Sequence, residues 1–95
     1  MKGTILKKET IDIILNSLKD EFVELKIQNN DRFYFIYGKI ISFDNEWLYF
    51  FDRIDGKIGI KKSTLTGVRK ADPGRFKLTI DEFDRKLDKV LGVKP

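Results

Sequence analysis

GKIISFDNEWLYFFD, residues 38–52, is the stretch on which the fold turns. Strand-forming residues fill both of its ends, yet a polar step of Ser42, Phe43, Asp44, Asn45 and Glu46 divides them, and the stretch begins on a glycine. Gly38 carries no side chain, so a strand kinks there or another backbone approaches closely, the device by which a short sheet curls toward a barrel. Asp44 and Asn45 supply turn chemistry, and EWLYFF resumes as a second strand. The stretch therefore reads as a bent strand, a tight turn and an aromatic strand running back.

Working upstream, RFYFIYGKIIS is apolar or aromatic on both faces before Gly38, so this strand is expected to be covered on both sides or to join a subunit contact. Asn29, Asn30 and Asp31 make the turn before it. In FVELKIQ, Val23, Leu25 and Ile27 alternate with Glu24, Lys26 and Gln28, which predicts a strand with one face on a core and one in water. Ile11, Ile14, Leu15, Leu18 and Phe22 fall at helical spacing, with Thr10 as the expected cap and Asp12 in the first turn.

Downstream, Asp52, Asp55 and Gly56 read as a hairpin turn before KIGIKK, and Ser63, Thr64 and Leu65 separate that strand from a last one, TGVRK. Ala71, Asp72, Pro73 and Gly74 break the chain. A second helix follows with full punctuation: Thr79 and Glu82 as a capping box, Ile80, Phe83, Leu87, Val90 and Leu91 as the apolar stripe, and Gly92 at the exit. Asp81 with Arg85 and Glu82 with Lys86 stand four apart in the favourable order. The expectation is one domain over residues 1–95, with an N-terminal helix at 9–21, a strongly bent five-stranded antiparallel barrel at 22–71 and a C-terminal helix at 79–91.

Composition narrows the chemistry. The chain has no cysteine and no histidine, which removes disulfides, thiolate nucleophiles, imidazole bases and the usual zinc ligands. No carboxylate pair is set for acid–base work, so neither catalysis nor a cofactor or metal is expected. Lys and Arg outnumber Asp and Glu by 19 to 15, giving a pI near 9.3, an excess compatible with an anionic partner and equally with a mixed soluble surface. No apolar run reaches the ~18 residues of a membrane span, and lysines interrupt the N-terminal segment where a signal peptide needs an apolar core. A cytoplasmic protein with no membrane partner is expected. A chain of this length buries only about 60–65% of its unfolded surface, so self-assembly would supplement a modest core.

The residues resemble a known family. ILNSLKDEFVELKIQNNDRFYFIYGKIISFDNEWLYFFD looks like the N-terminal helix and first motif of the Sm/Lsm superfamily, closest to its bacterial Hfq branch. The matching residues are Leu15, Asn16, Ser17 and Leu18, then Gly38, Ile40, Ser42, Phe43 and Asp44; IKKSTLTGV, residues 60–68, is similar to the second motif. The resemblance covers roughly residues 10–70 and leaves out the C-terminal helix. It implies a homo-oligomeric ring, a hexamer or heptamer, in which the fourth strand of one subunit pairs with the fifth of the next. It also implies non-catalytic binding of single-stranded RNA through pore-side turns. Carried over residue by residue, the RNA contacts fall on Asn45, Lys61, Lys62 and Ser63, with Gly38, Phe43 and Asp44 as the structural motif.

Several positions depart from the family pattern. Glu46 stands at the stacking position, Ser63 stands where the bacterial branch has histidine, and Lys19, Asp20, Glu21 and Phe22 replace its arginine rim. Asp31, Arg32, Phe33 and Tyr34 replace an Asn-Gly turn, which removes the match to the family's purine-binding face. Each candidate also has a plainer reading: Asp44 as a turn former, Trp47, Tyr49 and Phe51 as core or interface, and Lys61, Lys62, Arg69 and Lys70 as a solvated edge. The alternative function is an oligomeric scaffold of the same fold that has lost RNA binding.

Overall fold

A computed structural model describes residues 8–92; most of the lysine-rich N-terminal segment lies outside them. In order come α1 (Lys8–Ser17), β1 (Val23–Asn29), β2 (Arg32–Phe43), β3 (Trp47–Asp52), β4 (Gly56–Lys61), a 3₁₀ turn (Lys62–Thr64), β5 (Leu65–Lys70), a second 3₁₀ turn (Pro73–Phe76) and α2 (Ile80–Leu91). The strands form one antiparallel sheet in the order β4-β3-β2-β1-β5. The expected barrel is thus found as a five-stranded sheet that is not closed: β4 and β5 are its two edges.

The sheet is bent at the places the backbone allows. At Gly38 an added Cβ would lie 1.8 Å from the Phe51 carbonyl oxygen, so only a residue without a side chain lets β2 and β3 pass this closely. Three residues on, the β2–β3 register slips between Ile40 and Ser42, a bulge that adds curvature. Another irregularity lies between Lys26 and Ile27, where β1 meets β5. The result is that Ile60 on one edge strand and Leu65 on the other belong to one buried cluster with Val23, Leu25, Ile27, Ile40, Leu48 and Phe50. Ile11 and Leu15 of α1 complete this inner core.

α1 departs from its expected bounds. The chain is already helical at Lys8, the first described residue, so Thr10 lies within the helix and does not cap it, and the helix ends at Ser17, whose hydroxyl donates to the Ile14 carbonyl (2.8 Å). Phe22 therefore leaves the helical stripe and enters a second core, on the opposite face of the sheet.

That second core explains α2. Thr79 accepts a hydrogen bond from the Glu82 amide (3.2 Å), and Gly92 closes the helix at φ 76°. Of the expected stripe, Phe83 is fully buried and Leu87 half-buried, whereas Ile80, Val90 and Leu91 remain exposed. Phe83 meets Phe22 and Phe51 edge-on, with ring centroids 5.2 and 5.0 Å apart. Buried Lys39 of β2 donates to Asp84 of α2 (2.6 Å), tying helix to sheet. The C-terminal half of β2 is thus covered on both faces, while Phe33, Tyr34 and Phe35 in its N-terminal half are exposed.

Candidate nucleic-acid interface

One end of the sheet gathers the residues singled out by their motifs. Asp44 is the organiser: its Oδ1 accepts from the Glu46 and Trp47 amides (2.9 and 2.8 Å), and its own amide donates to the Trp47 carbonyl (2.9 Å). Hydrogen bonds from Trp47 and Glu46 hold the Asp44 carboxyl below the usual carboxylate range. The turn-former reading of Asp44 describes what it does here.

The second turn docks on the first. The Lys62 amide donates to the Glu46 carbonyl (2.8 Å), and the Lys62 ammonium reaches back to the Asp44 carbonyl (2.7 Å) and to the carboxylate of Asp12 on α1. Lys62 is only 5% exposed. Of the four candidate RNA-contacting residues, Asn45, Lys61 and Ser63 are exposed around this junction, but Lys62 is turned inward, a strut joining α1, the Asp44 turn and the 3₁₀ turn. Phe43 is half-buried against the inner core, with the Lys62 ammonium 5.3 Å from its ring centroid.

Trp47 adds a surface that the sequence reading assigned to core or interface. Trp47 is 39% exposed, Lys61 is its cross-strand partner, and the floor beside its ring is Gly59, which holds no side chain against it. Tyr49, two residues along the same strand face, is half-buried and sends its hydroxyl toward Asp44 (3.5 Å). Phe51, next in that row, is buried under α2. An exposed amide, an exposed ammonium and an open indole therefore share one corner, and Glu46 projects from the same turn.

A separate aromatic surface lies at the β1–β2 hairpin. Phe33 and Phe35 are exposed on one strand face, and the Lys26 ammonium sits 4.4 Å from the Phe33 ring centroid. Next to it, Glu24 is buried on the face expected to meet water. It accepts from Arg69 (2.7 Å) and Tyr37 (2.8 Å). Burial acts to raise the Glu24 carboxyl, but the hydrogen bonds from Arg69 and Tyr37 prevail and its pKa is lowered; the same bond to Glu24 raises the Tyr37 hydroxyl. A folded-state pKa below the unfolded one adds stability that is present above the unfolded value and lost as pH falls through the folded one. Glu24→Gln is accordingly expected to flatten the decline of the urea midpoint with falling pH in the acidic range; a decline as steep as in the parent would contradict this role.

Among the described residues no group of three or more acidic side chains is placed to hold a metal ion, and no helix is long and apolar enough to cross a membrane. Set against known protein families, curated proteins and solved structures, the chain matches no family model, no curated protein and no solved structure.

Proposed function

We propose that the protein assembles through its sheet edges into an Sm-like ring and binds single-stranded RNA without catalysis. Asn45, Lys61 and Ser63 contact the strand, and Trp47 serves as the stacking platform that Glu46 cannot provide. The observation that carries this reading is the exposed Trp47 ring beside Lys61 and the Asn45 turn. Bases of any sequence stack on an indole, an amide reads a base edge, and an ammonium neutralises phosphate. The order β4-β3-β2-β1-β5, in which β4 and β5 each leave one edge unpaired among the described residues, supports assembly by edge pairing.

Titration with labelled oligo-U and oligo-A at several salt concentrations tests the proposal. Trp47→Ala is expected to weaken binding by about fivefold to 150-fold, the worth of one stacked base. Lys61→Ala is expected to lower the log–log salt slope by about 0.7, and Asn45→Ala to alter base preference. Unchanged affinity in a folded Trp47→Ala protein would sink the assignment.

One observation favours the scaffold reading instead: the Lys62 charge is spent within the chain on Asp12. A protein free of nucleic acid on purification, assembled, and indifferent to both oligonucleotides at low salt would establish that reading.

A further inference from the structure

The turn between β3 and β4 faces the C-terminal part of α2 across an open cleft of about 440 Å³. Three cations line it: Arg53 from the turn, and Lys86 and Lys89 one helical turn apart on α2. None of the three is in an ion pair among the described residues. Two carboxylates also line the cleft, but buried Asp52 is committed to the backbone, its Oδ2 accepting from the Ile54 and Asp55 amides (2.9 and 2.8 Å). Only Asp55 is exposed.

Arg53 is held in place. Its amide donates to the Tyr37 carbonyl (2.8 Å), its guanidinium carbon lies 4.0 Å from the Phe76 ring centroid, and its Nε is closed to solvent, so a ligand in the cleft can reach only the terminal nitrogens of the fork. A guanidinium stacked on a ring and left without a carboxylate is a prearranged fork for a planar or tetrahedral oxyanion, and flanking lysines add charge.

We propose that this cleft is a binding site for a phosphate group, with Arg53 as the fork and Lys86 and Lys89 as the closing charges. Lys86 and Lys89 lie beyond the residues that the family resemblance covers, and the site does not depend on RNA binding at the Trp47 corner. A free phosphorylated small molecule and the phosphorylated end of a nucleic-acid chain both present this group, and one experiment separates them.

Amide chemical shifts are followed by NMR during titration with inorganic phosphate, adenosine 5′-monophosphate, and an oligo-U carrying either a 5′-phosphate or a 5′-hydroxyl. Saturable shifts at residues 53–56 and 86–90 are expected with the first three probes and not with the hydroxyl-ended strand. In the variant Lys86→Gln with Lys89→Gln, both changes on the exposed helix face, affinity for inorganic phosphate is expected to fall at least about tenfold, as two charge-assisted contacts are lost. Tighter binding of the phosphorylated strand than of the nucleotide assigns the site to a chain end, and equal binding assigns it to a small molecule. Absence of saturable shifts in the cleft with all three phosphate probes, equal cleft shifts with the hydroxyl-ended strand, or unchanged affinity in the double variant would overturn the proposal. Failure of RNA binding at the Trp47 corner reads out separately, as the absence of shifts at residues 45–47 and 61–63 with either strand.

Discussion

Gly38→Ala is expected to lower the thermal midpoint by upward of about 15 °C or to remove the cooperative transition altogether. The position does not demand glycine for its dihedral angles; it demands it for space. The new methyl carbon would sit 1.8 Å from the Phe51 carbonyl oxygen and 2.8 Å from the Phe51 carbonyl carbon, and only then 3.1 Å from the Phe50 ring. A side chain in the way can rotate, but a backbone carbonyl in the middle of a strand cannot. Relief requires β2 and β3 to separate where Gly38 pairs with Asp52 and Lys39 with Phe51, which also disturbs the aromatic contacts of Phe51. Overpacking usually costs about 1–3 kcal/mol, and contact with fixed backbone places this case at or above the upper end. A domain stable by about 5–15 kcal/mol has little margin for it. Thermal melts followed by circular dichroism decide the matter, and a midpoint within about 2 °C of the parent, well under the shift expected for 1 kcal/mol, would contradict it.

Phe83→Ala is expected to cost about 3–5 kcal/mol, the range for truncating a buried aromatic ring. Phe83 is the only fully docked residue of α2, with its ring edge-on to both Phe22 and Phe51. Ile80, Val90 and Leu91, nominally of the same stripe, contribute little because they are exposed. The loss is expected to be uneven. The inner core around Leu25, Leu48 and Phe50 is a separate cluster, so the sheet should retain slow amide exchange while α2 exchanges quickly. Urea denaturation gives the magnitude and hydrogen exchange the distribution. Uniform acceleration of exchange across sheet and helix would show that the two cores unfold as one unit.

Local chemistry was legible wherever a residue acts on its near neighbours. The Thr79 cap, the Gly92 exit, the Asp44 turn, the Asp52 and Gly56 turn and the close approach at Gly38 all follow from what a hydroxyl, a carboxylate or a missing side chain does within a few residues. Periodicity misled at Phe22, which sits four residues after Leu18 and so fits a helical stripe although the helix has ended at Ser17. Alternation misled at Glu24: the outer face of β1 is covered there by Tyr37 and Arg69, the latter 45 positions away. The same limit applies to the candidate site. Asn45, Lys61 and Ser63 are at the surface, but Lys62 is buried through Asp12, 50 positions earlier, a pairing no local spacing encodes. Trp47 reads from the sequence as core or interface, yet it lies exposed on the sheet surface, beside Gly59 of the neighbouring strand, which presents no side chain to its ring.

Self-assembly through the edge strands is the central proposal, because it places copies of the Asn45 and Lys61 corner around one opening and covers the exposed edges of β4 and β5. Light scattering on a sizing column at several loading concentrations tests it before any ligand is chosen. Expected is a concentration-independent mass six or seven times the 11.2 kDa of the chain. A protomer that remains at 11.2 kDa at the highest loading would contradict it.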